Sequence, residues 1–270
     1  MTNKKHLLIL LTLAITLALT STQTVAAKNE IEKIEIPFVV KAKGGNGNPP
    51  SSDPSIGLMN VAWDHTTITV LIISKTESWF KASYTSDVKN AINQWTTSIS
   101  HFTTSYGSHK YDYINELTFK IWVYGFNTSK TSGYDVTIKF VEQQGSTLGV
   151  ATIYYYVITR AIAYVKITLS CSYSDTPFSD SDMQNVACHE FGHVFALGHA
   201  KQATTSNGPE LMYPYYPYAI GGTSTPIIYP STLDIYGITV THAWLKTGVF
   251  KAPTAKSASL PSGIPYEQIK

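Results

Sequence analysis

An α+β fold of five strands and three helices is what this 270-residue chain predicts, and two observations carry that prediction. The apolar period changes repeatedly along residues 58–250: runs rich in β-branched and aromatic residues read as strands, and stretches with apolar residues three and four apart read as helices. The second helical stretch holds His189-Glu190-Phe191-Gly192-His193, with His199 shortly beyond it.

In chain order, residues 66–73 alternate in the manner of a half-buried strand. Residues 83–101 place Val88, Ala91, Ile92, Trp95 and Ile99 on one helical face. Residues 117–124, 134–141, 147–158 and 161–169 supply four further strands. Ser181 and Gln184 have capping-box spacing and predict the start of the second helix. Residues 232–246 read as the last helix, and no tandem repeat is visible.

The flanks read as processing segments and appendages. Lys4 and Lys5 precede an apolar run over 7–19, and Val25-Ala26-Ala27 offers small residues for cleavage, so 1–27 reads as a secretory signal peptide and the product as secreted. An uncleaved membrane anchor fits less well, because 20–24 is polar where a spanning helix needs about 20 apolar residues. Residues 28–57 read as a short pro-segment or linker: 28–43 has strand character, and 44–57 is rich in Gly, Asn, Pro and Ser. Residues 251–270, with Pro253, Pro261 and Pro265, read as a flexible C-terminal tail.

Composition narrows the partners. Net charge is +2, and basic clusters are confined to the first residues, which argues against nucleic acid. No stable membrane span is expected once the signal peptide is gone, and the chain is expected to act as a monomer on peptides or proteins. Asn127-Thr128-Ser129 is an N-glycosylation sequon. Cys171 and Cys188 are the two cysteines; in an oxidising compartment they predict a disulfide tying a strand end to the second helix, the alternative being two buried thiols.

The chemistry resides in the histidine motif. Residues four apart on a helix share a face and stand about 6 Å apart along its axis, so His189 and His193 converge on one metal ion. Glu190 lies about 100° round the helix, placed to reach a water on the metal rather than the metal itself. A continuous helix would carry His199 about 15 Å from His189, so the helix must break before it. Three neutral imidazoles leave Zn²⁺ one open position, for a water whose pKa falls to about 7. Glu190 is then the general base, and later the acid for the leaving amine. His65, His101, His109 and His242 lack ligand spacing and read as surface or packing residues.

At these residues the chain resembles the metzincins, and within them the matrixins, whose pattern is HExxHxxGxxH followed by a Met-turn. Leu211-Met212-Tyr213-Pro214-Tyr215-Tyr216 is similar to the matrixin Met-turn and the segment after it. The resemblance, covering about 58–248, implies a zincin-like (metzincin) catalytic domain at 58–250 with a twisted five-stranded mixed sheet. It also implies a zinc-dependent endopeptidase with Met212 beneath the metal and Pro214 and Tyr216 in the wall of the S1′ pocket. Leu148, Gly149, Val150 and Ala151 would form a strand edge that pairs with substrate, and Asn185 would look into S1′. The chain departs from the pattern in three places. The turn glycine is Ala196, with Gly198 as a replacement for the turn; Ala200 stands where matrixins usually have Ser; and residues 140–169 contain no His or Asp, so the structural zinc and calcium sites of matrixins are expected to be absent. No cysteine precedes Cys171, which excludes cysteine-switch latency.

Two other readings compete with an exported zinc endopeptidase. One is an exported binding or surface-layer protein on the same scaffold with negligible turnover, against which retention of Glu190 and the Met-turn argues. The other is a zincin whose third ligand is a distant glutamate, for which Glu210 is the candidate.

Overall fold

A computed structural model of the chain describes residues 30–40, 53–125 and 132–270. The expected signal peptide at 1–27 and the sequon at Asn127 lie outside the described residues. In chain order the strands are β1 (Ile31–Val40), β2 (Ser55–Leu58), β3 (Thr67–Ile73), β4 (Thr118–Tyr124), β5 (Val136–Val141), β6 (Thr147–Tyr156), β7 (Ile162–Ser170), β8 (Ser172–Tyr173), β9 (Thr176–Pro177), β10 (Leu197–Ala200), β11 (Thr204–Thr205), β12 (Gly208–Pro209), β13 (Tyr215–Tyr216) and β14 (Ser257–Ser259). Among the described residues the helices are α1 (Ser83–Ser105), α2 (Asp180–Val194) and α3 (Thr232–Thr241), with 3-10 turns at Asp112–Glu116 and Ala243–Lys246.

The five expected strands are β3 to β7, and they form the body of a mixed sheet of order β13-β1-β6-β7-β5-β3-β4. β4, β3, β5 and β7 run parallel. β6 is antiparallel to β7, and β1 antiparallel to β6. Parallel neighbours need a crossover, which α1 provides between β3 and β4. The α+β class, the mixed sheet and, among the described residues, the three helices are as the sequence predicts. The sheet gains β1 and β13, because the apolar end of the 28–43 segment pairs with β6 and not with solvent.

α1 buries Tyr84, Val88, Ala91, Ile92, Trp95, Ile99 and Phe102, the stripe that its 3.6-residue period dictates. Against it packs α2, and two indoles lock α2 in place: Trp95 Nε1–H donates to the Cys188 carbonyl at 2.9 Å, and Trp63 Nε1–H to the Val194 carbonyl at 2.8 Å. The second bond satisfies a carbonyl in the last turn of the helix, where no intrahelical donor exists.

Four sequence expectations need correction. The capping box of α2 is Ser179 with Asp182, not Ser181 with Gln184, because Pro177 and the buried Phe178 end the preceding segment and fix Ser179 at the N-cap. Ala196, at φ +61°, makes the left-handed turn itself; Gly198 instead allows a close backbone approach to Gly57. Cys171 and Cys188 are free buried thiols, since Cys188 faces the α1 interface, with its thiol directed at the Ala91 carbonyl. Burial raises the Cys171 thiol to about 12 and pushes Cys188 well above its usual range.

The fourth correction concerns residues 251–270, which are docked rather than mobile. β14 pairs antiparallel with β2, and Ala258 and Ile269 are buried. Ser98 Oγ donates to the Ile269 carbonyl at 3.1 Å, and the Thr232 amide to the Glu267 carbonyl at 2.8 Å. The prolines do enforce extension, but an extended chain with single apolar residues at intervals can lie along a surface, and composition does not distinguish the two.

Candidate metal centre

Local sequence places the ligands. The Ser179–Asp182 box starts α2, with Asp180 and Asp182 in the first turn where negative charge favours the helix dipole. His189 and His193 follow one turn apart on the buried face. Phe195 caps the helix, Ala196 reverses the chain, and β10 carries His199 back beside the other two, held by pairing with β2. The donor atoms of His189, His193 and His199 lie within 4.8 Å of one another.

The orientation of each ring is set by its second nitrogen. His189 Nδ1 bonds the Leu211 carbonyl at 2.6 Å, and His193 Nδ1 bonds the Leu197 carbonyl at 2.7 Å. A carbonyl only accepts, so both Nδ1 atoms carry the proton and both Nε2 atoms present lone pairs. The Nε2 atoms of His189, His193 and His199 are buried without a hydrogen-bond partner. Burial holds His189 well below the usual range, lowers His193 to about 3 and lowers His199 to about 4; neighbouring imidazoles add to the effect at the first two. Three neutral, convergent, otherwise unsatisfied imidazole nitrogens are the donor set that Zn²⁺ takes, so the residues fit the ion that the sequence implies.

Glu190 is fully buried, and neither carboxylate oxygen has a hydrogen-bond partner. Burial pushes its carboxyl well above the ordinary range. It lies beneath Gly149 of β6, where an added Cβ would fall 2.6 Å from Oε1. Gly149 therefore makes room for the base. Gly192 plays the same part below, since a side chain there would strike the Met212 sulfur and the Trp95 ring.

Met212 is completely buried under the helix, as the Met-turn likeness implies. Its amide donates to Glu210 Oε1 at 3.1 Å, and its carbonyl accepts from the Ala200 amide at 2.8 Å. The Met-turn thus supports the His189 ring through Leu211 and ties down the strand that carries His199. Glu210 is excluded as a ligand, because Oε1 holds the Met212 amide and Oε2 accepts from Tyr266 at 2.7 Å. Sequence reasoning missed Tyr266 and the supporting role of Glu210.

The expected pocket residues divide. Tyr216 is buried and anchored, with its hydroxyl donating to Asp182 Oδ1 at 2.7 Å. Pro214 is partly buried in the preceding turn. Asn185 does not present a free amide to a pocket. Its Nδ2 donates to Tyr216 Oη and to the Pro226 carbonyl, and its Oδ1 accepts from the Ile228 amide, so it braces the wall.

Gly149, Val150 and Ala151 lie on the β6 face expected to pair with a peptide, and they pair there with Phe38, Pro37 and Ile36 of β1. Leu148, fully buried, falls at the register shift of this ladder. Phe38 was not foreseen as a site residue, and its ring stacks on His189 with centroids 3.7 Å apart. One phenylalanine in an apolar strand carries no mark in the sequence.

Residues 74–200 match the family model described as Metallo-peptidase family M12B Reprolysin-like. No curated protein matches the chain. The matched stretch runs from the end of β3 through His199, and together with the histidine cluster it supports a metzincin-type zinc metallopeptidase, a hydrolase acting on peptides.

Proposed function

We propose that the chain is an exported zinc endopeptidase, with His189, His193 and His199 holding the ion, Glu190 as general base and acid, and Met212 beneath the site. The observation that carries this reading is the convergence of three buried, unpartnered Nε2 atoms beside a buried carboxylate under Gly149 of β6. Export rests on the sequence of residues 1–27. The buried Tyr216 and the Met-turn support a matrixin-like S1′ wall, within the coarser metzincin assignment.

The protein's own groups divide the work. The Gly149–Ala151 stretch, which pairs with β1 in this structure, would offer the same main-chain donors and acceptors to an extended peptide lying across the site. When bound, zinc supplies a Lewis acid that polarises the peptide carbonyl and acidifies water to a pKa of about 7. Glu190 receives the proton of the attacking water and returns it to the departing amine nitrogen. The dry surroundings strengthen each electrostatic interaction. Protonated Nδ1 atoms on two ligands keep those rings from rotating.

The test pairs elemental analysis with a casein or gelatin digest. One zinc per chain and chelator-sensitive hydrolysis are expected. Glu190→Gln should keep the zinc and lower kcat by about 10²–10⁴-fold. Comparable cleavage by that variant would remove Glu190 from its role; full activity after stripping the metal would end the zinc reading.

A further inference from the structure

β1 does not behave as a core strand. β6 buries every second residue along most of its length, whereas β1 buries Phe38 alone among ten, with Ile31, Glu32, Lys33, Glu35 and Pro37 exposed. It is held by main-chain pairing to β6 over Ile31–Val39, and by Val39 and Val40 running parallel to Tyr215 and Tyr216. β1 therefore lies between the strand edge and the pocket wall, where a peptide would lie.

The one fully buried side chain of β1 lies against the metal centre. The Phe38 ring lies parallel to the His189 imidazole, 8° between planes, and edge-on to Tyr216 with centroids 5.9 Å apart. Stacking uses the face of the imidazole and leaves Nε2, which lies in the ring plane, directed at the other ligands. The cross-strand partner of Phe38 is Gly149, under which Glu190 sits, so the backbone at Phe38 passes over the base. The register shift between Phe38 and Val39 falls at this same place.

We propose that Ile31–Val40 is a tethered, substrate-like inhibitor filling the peptide cleft, and that the pocket occupied by the Phe38 ring selects peptides with a large aromatic side chain. The inference rests on the peptidase reading for its consequence, latency, but not for the occupancy itself. An aromatic ring is favoured because the pocket pairs an imidazole face with a phenol edge, an arrangement that planar rings fill and branched aliphatic side chains do not. Apart from Phe38, the side chains that β1 sets against the core, Ile34, Ile36 and Val40, are only partly buried, so the strand rests mainly on its main-chain ladder, as a bound peptide does.

The experiment uses the zinc-loaded full chain in which residues 44–50 are replaced by the recognition sequence of an unrelated site-specific protease, so that the strand is severed after folding. Cutting should raise hydrolysis of a quenched fluorescent peptide tenfold or more and speed amide hydrogen exchange across Gly149–Ile153. In the Glu190→Gln background, a labelled peptide of sequence IEKIEIPFVV should bind the cut protein at least tenfold more tightly than the uncut one, by fluorescence anisotropy. The same peptide with alanine in place of phenylalanine should bind at least tenfold more weakly. In the uncut chain, Phe38→Ala should also raise hydrolysis, and Phe38→Tyr should not. Freed amides and tight peptide binding without hydrolysis would sink the peptidase reading and sustain the occupancy. Equal binding to cut and uncut protein, or equal binding of the phenylalanine and alanine peptides, would overturn the proposal.

Discussion

Ala196 shows how one residue sets the position of a ligand. It holds φ at +61° between α2 and β10, and without that reversal His199 would continue along the helix axis away from His189. An L-residue in this conformation costs about 1–2 kcal/mol, and glycine, despite its larger chain entropy, is relieved of most of that strain. Ala196→Gly should therefore stabilise the fold by about 0.5–1 kcal/mol, seen as a higher denaturant midpoint at unchanged m-value. A lower midpoint would show that the alanine methyl, fully buried, contributes more by packing than it costs in strain.

His65 is the second residue with a measurable consequence. Its Nε2 lies 3.5 Å from Asp135 Oδ2 and its Nδ1 2.8 Å from Asp64 Oδ1. Asp135 chiefly, then Asp64, raise His65 from 6.5 to about 9, partly offset by burial. Because the folded value is raised, the stabilisation is complete below pH 6.5 and disappears as pH rises through about 9. His65→Asn should lower the denaturant midpoint at pH 6 and leave it unchanged at pH 10. An equal loss at both would assign the residue to packing against Trp63, 5.3 Å away between centroids.

Among the elements, β3 to β7 and the three helices were legible because runs of β-branched residues and 3.6-residue stripes are local properties of the chain. The capping box was displaced by two residues because Ser179, Ser181, Asp182 and Gln184 offer competing pairs, and only the packing of Phe178 decides between them. The docking of the tail is not legible in the sequence because its anchoring is tertiary. Tyr266 reaches Glu210, whose other oxygen holds the Met212 amide, so the last residues support the floor of the metal centre. Tyr266→Phe leaves a buried carboxylate oxygen without this donor, and a loss of about 1–3 kcal/mol is expected by chemical denaturation. No change would mean that the Asp234 carboxyl, which burial and then Glu210 push well above its ordinary range, holds a proton and donates to Glu210 in place of the tyrosine.

For the whole molecule, the three ligands and the base were readable because their spacing is written on one helix and the turn after it. The carbonyls of Leu211 and Leu197 that orient the rings were not, since every residue has a carbonyl and only folding selects which ones point inward. Phe38 escaped for a related reason: it is separated from His189 by most of the chain, and its role depends on where β1 docks.

The pair of reduced sulfurs in the interior has a practical side. Neither thiol is readily ionised, and thiolate is the form that exchanges or oxidises. The architecture consequently stands without a covalent cross-link. It can be assembled as well in the reducing interior of a bacterial expression host as outside a cell, with no oxidative refolding step and no scrambled isomers to separate.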